Sequence, residues 1–173
     1  MAMKPPAQLA AGFAVVFFAV RVNGFDLLLD PVGWMICTSA LANMEVFDRA
    51  FTCGVAMILS SVLLLIAPSD WEQVIGLAAG VGNAVTVALM VEPVMAATRR
   101  HRNLLDVLRW AVAGPGVLVV LSWYGYAELG GLFQMVALVA MVTLIVVLVR
   151  VSQEPWEPPA GTPPVVPAPP TAR

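Results

Sequence analysis

The sequence predicts an all-α, polytopic transmembrane helical bundle of about six spans in antiparallel hairpins, followed by a disordered proline-rich tail. Three observations predict it. Hydrophobic residues make up 60% of the chain and charged residues 12%, about half the ~25% charged share of an ordinary soluble domain. Six apolar runs are separated by short breaks of Gly, Pro, Asp, Glu and Arg. Lipid demands such runs, because a helix satisfies its own backbone groups where no water can. Basic residues collect on alternate breaks, as the positive-inside rule requires. The 173 residues suit one domain, with residues 1–150 in the membrane and 151–173 as tail. A net charge of −2 leaves no basic face to neutralise phosphates and argues against a nucleic-acid partner.

The first span is read over about residues 7–22. At ~1.5 Å per residue it reaches ~24 Å, short of the ~30 Å hydrocarbon core. Lys4 and the apolar run over residues 9–20 imitate a signal peptide. Arg21, Val22 and Asn23 follow where a small-x-small cleavage pattern would stand, so the segment reads as a retained helix. Asn23-Gly24 tolerates positive φ and marks a turn. Asp30-Pro31 sets a capping acid before a first-position proline and opens the second span, about 31–48.

The third span, about 50–67, has Asp48 as its cap and Pro68 as its stop. Ser69, Asp70, Trp71 and Glu72 have capping-box spacing and start the fourth, about 70–92. Glu92-Pro93 should bend or end it. Asn103 caps the fifth, about 103–127, with a kink expected at Gly114-Pro115-Gly116. Glu128 and Gly130-Gly131 make the next turn, and the sixth span covers about 132–150. Eight prolines in the last 23 residues leave the tail disordered or locally polyproline II.

Charge sets the orientation. One side receives Lys4, Arg49, Arg99, Arg100, Arg102, Arg109, Arg150 and Arg173. The other receives only Arg21, with Asp26, Asp30, Asp70, Glu72 and Glu128. Both termini are therefore expected in the cytoplasm. Trp71, Trp123, Tyr124 and Tyr126 fall at the outer boundary and Trp110 at the inner one. Two layouts compete: five spans with a processed first segment, and four with a re-entrant first hairpin.

A few polar residues stand out against this background. Asp26 and Asp30 are four apart beside Asn23, and such oxygens can bind a hard cation or carry protons. The plainer reading has Asp30 cap a helix and Asp26 pair with Arg21. The fourth span holds Gly76 and Gly80 in a GxxxG pattern, with Asn83 on the same face. Small residues allow the close backbone approach that drives helix association in lipid. That face is expected to pack within the chain; a homo-oligomer or a membrane-protein partner is the other use. Asn83 lies near mid-span, where an unsatisfied amide is costly.

Glu92 lies ~14 Å further along by helical rise, near the inner interface and within reach of Arg99, Arg100 and Arg102. Those arginines can also touch anionic lipid head groups at ~1 kcal/mol each. His101, the only histidine, reads as solvated surface. Cys37 and Cys53 lack CxxC spacing and read as small buried hydrophobes. The PxxP spacings that start at Pro155 and Pro164 arise in any proline-rich segment. No GxSxG, HExxH, Walker A or usable GxGxxG motif occurs, so no catalytic residue, metal or cofactor is expected.

Residues 24–34, Gly-Phe-Asp-Leu-Leu-Leu-Asp-Pro-Val-Gly-Trp, resemble the G-x-D-L-L-P-D-x-x-G-W hairpin of small, uncharacterised multi-span membrane proteins of bacteria. In those proteins the stretch also lies between the first two apolar segments. Leu29 stands here where the pattern has proline. The resemblance implies a bacterial cytoplasmic membrane and no particular activity. The residues point to a non-enzymatic scaffold or accessory subunit embedded in the lipid bilayer, working through the Gly76/Gly80/Asn83 face. The alternative is a small transporter or channel component with Asp26, Asp30 and Asn83 as polar steps. A membrane-embedded enzyme comes third.

Overall fold

A computed structural model describes residues 3–18, 29–45, 49–66, 68–98, 100–122 and 127–154. Among the described residues there are six α-helices and no strand: α1 (Pro5–Phe18), α2 (Leu29–Asn43), α3 (Arg49–Ile66), α4 (Ser69–Ala97), α5 (Arg102–Ser122) and α6 (Ala127–Gln153). Among the described residues, two stretches are long and apolar enough to cross a membrane, Ala78–Ala97 and Met135–Gln153. Pro5–Phe17 and Arg49–Leu63 are shorter apolar helices.

The boundaries differ from the sequence reading where local signals meet packing. α1 begins two residues early because Pro5 and Pro6 occupy a first turn, where the missing N–H groups have no helical partner in any case. α2 stops at Asn43 instead of running to 48. Met44 and Glu45 close it as a turn, and Glu45 takes φ 58°, the left-handed position more often given to glycine. Pro68, extended at φ −61° and ψ 149°, is the N-cap of α4 and offers no side-chain hydrogen bond; the side chains of the Ser69–Glu72 capping box lie outside the described residues.

Pro93 does not end α4, which continues to Ala97. Proline removes one backbone bond, while Met90, Val91, Val94 and Met95 bury themselves on both sides of it and hold the helix. α5 likewise carries Pro115 within it. Gly130-Gly131 lies inside α6 and makes no turn; glycine in a helix costs only ~1 kcal/mol against alanine. α6 also extends three residues past Arg150, and Val151 is buried. The remainder of the proline-rich tail lies outside the described residues, as does Asp48.

Each helix packs on its sequence neighbours, and α6 returns to α1, so the six helices close into a ring. One end of the ring is fixed by polar contacts. Lys4 Nζ donates to the Glu154 carbonyl at 2.9 Å, and Asn43 Nδ2 donates to Gln8 Oε1 at 2.7 Å. The start of α1 and the ends of α2 and α6 therefore meet there.

The core is apolar and tightly closed. Leu9, Phe13, Trp34, Leu41, Met90, Leu105, Leu144 and Leu148 are fully buried. The Phe13 and Trp34 rings meet edge to face, 6.5 Å between centroids. Two buried hydroxyls are satisfied inside their own helices: Thr38 Oγ1 donates to the Trp34 carbonyl at 2.7 Å and Ser61 Oγ to the Met57 carbonyl at 2.8 Å. The outer faces are apolar too. Ile66 is 74% exposed, Val107 65% and Val139 62%.

Candidate functional site

Four residues, 98–101, separate α4 from α5, so the last turns of one helix lie against the first turns of the other. Between them is a cleft of about 320 Å³ lined by Glu92, Met95 and Ala96 of α4 and by Arg102, Asn103, Asp106 and Arg109 of α5. The spacing puts these groups there. Residues 102, 106 and 109 recur at helical intervals on one face of α5, as 92, 95 and 96 do on α4.

Inside the cleft the charges balance, with two carboxylates and two guanidinium groups. Arg109 Nη2 is 2.7 Å from Asp106 Oδ1. The two groups form an ion pair about one helical turn apart on α5. The Arg109 side chain is 20% exposed, and its Nε is buried with no hydrogen-bond partner among the described residues. Its guanidinium also lies 5.3 Å from the centre of the Trp110 ring, a cation–π arrangement.

A second polar cluster ties the same end together. Glu154 Oε1 lies 3.2 Å from His101 Nε2 and 3.9 Å from Arg100 Nη1. His101 is 23% exposed, which corrects its reading as solvated surface: the end of α6 covers it. Arg100 is 81% exposed, so its pairing is weak. Sequence reasoning missed Glu154 because 53 residues separate it from His101 and because the tail was taken to begin at 151.

The predicted residues fare differently. Asp26 and Arg99 lie outside the described residues. Asp30 is in the first turn of α2 and partly buried, where its charge complements the helix dipole. Asn83 is half-buried within α4. α2 and α4 are not neighbours in the ring, so Asp30 and Asn83 are on separate packing pairs. Glu92 is exposed and shares its cleft with Arg102, while Arg100 and His101 turn to Glu154 instead.

Gly76 lies in α4, its surroundings outside the described residues. Gly80 is the glycine of that face whose surroundings are described. It is exposed, and a Cβ built on it meets nothing within 4 Å. The close glycine contact is elsewhere, between α1 and α2. A Cβ on Gly12 would fall 2.9 Å from both the Cys37 nitrogen and the Gly33 oxygen, and one on Gly33 would fall 2.8 Å from the Val16 nitrogen. The available signal was one glycine in each of two short apolar helices. Cys37 itself is fully buried, in keeping with its reading as a small hydrophobe.

No family model, no curated protein and no solved structure matches this chain. Its own geometry carries the functional reading.

Proposed function

We propose that this chain is a six-span integral protein of a bacterial cytoplasmic membrane, with both termini in the cytoplasm, acting as a non-enzymatic scaffold or accessory subunit. One observation carries the proposal: the helices are apolar on both their inner and outer faces. Residues such as Ile66, Val107 and Val139 face outward while the ring interior is filled by others of the same kind. Water would penalise that outer surface at ~25 cal/mol per Å²; hydrocarbon would not.

The orientation follows from Lys4, Arg100, Arg102 and Arg109, which gather at one end of the ring. The closed apolar core around Met90, Leu105, Leu144 and Leu148 supports a scaffold over a transporter. Single cysteines at positions 26, 30 and 83, with Cys37 and Cys53 replaced by alanine, test this. A water-soluble maleimide should leave position 83 unlabelled from either side. Labelling there would favour a polar pathway and sink the scaffold.

A further inference from the structure

The α4–α5 cleft combines a position, a charge pattern and an incomplete set of hydrogen bonds. Glu92 is five residues from the end of α4 and Arg109 seven from the start of α5, ~8 and ~11 Å along the helices. If the basic end meets the cytoplasm, this is the depth of lipid head groups and their backbone esters. Exposed Leu104, Val107 and Trp110 continue from the same stretch of α5 onto the outer surface. They offer an acyl chain an apolar path.

From this geometry we infer that the cleft binds a zwitterionic phosphate–primary amine group, carried by a phosphatidylethanolamine-type lipid. The phosphate meets the guanidinium groups of Arg102 and Arg109, which both line the cleft; Arg109 Nε has no hydrogen-bond partner among the described residues. A guanidinium fork suits phosphate oxygens. The ammonium meets Glu92 across the cleft. Asp106 already neutralises part of Arg109, so among the described residues a purely anionic ligand would find Arg102 with no ion pair and Glu92 repelling it. A ligand bearing both signs satisfies both. A quaternary amine fits less well, because it has no N–H for Glu92 and is better held by an aromatic cage.

The inference rests on the membrane reading, and its test separates the two. The full chain in detergent micelles is titrated with phosphatidylethanolamine, phosphatidylglycerol and phosphatidylcholine of identical acyl chains, and native mass spectrometry counts bound lipid. One phosphatidylethanolamine should be retained in preference to the others. Glu92→Gln should weaken it about tenfold and leave phosphatidylglycerol no weaker, while Arg102→Gln should weaken both. Glu92 and Arg102 are exposed, so neither change opens the core. Equal retention of all three lipids, or no effect of Glu92→Gln, overturns the inference. Displacement by soluble phosphoethanolamine at equal concentration overturns the lipid as source. Alkaline washing of membranes reports separately: a chain released by it would refute the membrane reading, whatever the cleft binds.

Discussion

The α1–α2 and α4–α5 hairpins solve the same packing problem in opposite ways. In the first, two short helices meet backbone to backbone, with Gly12 and Gly33 so close that neither has room for a Cβ. Cys37, Trp34, Phe13 and Leu9 are buried around them. In the second, longer helices each hold a proline, Pro93 and Pro115. They part near the basic end into a cleft lined by four charged side chains. Where helices touch through glycine, the backbones leave no room even for a methyl group. Where they touch through long charged side chains, it leaves a space that a ligand can use. The close backbone contact and the charged cleft thus lie in different hairpins of the ring.

Substitutions can break that contrast, and the largest effect belongs to the tight hairpin. Trp34→Ala, which empties a fully buried ring site, should cost ~3–5 kcal/mol in reversible unfolding from detergent micelles. A cost below ~1 kcal/mol would mean that the ring site readily collapses. Gly12→Ala comes next, at about 2–3 kcal/mol, because its Cβ meets the Cys37 backbone and Gly33 carbonyl rather than a movable side-chain tip. An unchanged midpoint would show that the two helices can separate freely.

Gly80→Ala should go the other way and stabilise by ~0.5–1 kcal/mol, since a methyl group there meets nothing and helix propensity improves. A loss of stability, or of an oligomer seen by crosslinking, would place a partner against Gly80. The smallest effect is expected at the clasp. Arg100→Ala removes an exposed 3.9 Å pairing and should change stability by no more than ~0.5 kcal/mol. A larger loss would show that Glu154 depends on Arg100 and not on His101 alone.

Six helices in chain order were legible because apolar runs and Gly/Pro breaks report directly on local structure. Their ends were less so. Pro93 and Gly130-Gly131 look like breaks in isolation, but burial on both sides of Pro93 outweighs one lost hydrogen bond. Half of the cleft was legible as well: Glu92 and Arg102 were singled out by their place near the inner boundary. Asp106, Arg109 and Glu154 were not, because their roles come from packing between helices and α6's reach past residue 150. The GxxxG pattern is a related case. Spacing puts small residues on a common face but does not say which way that face points.

The central claim is that lipid solvates the outer apolar face of the ring. A nitroxide at Val139→Cys, with both native cysteines replaced, tests it in reconstituted vesicles. Val139 is 62% exposed in the apolar stretch of α6. The account predicts frequent collisions with dissolved oxygen and almost none with a water-soluble nickel chelate. Nickel collisions as frequent as those of a label at Arg100→Cys would contradict it.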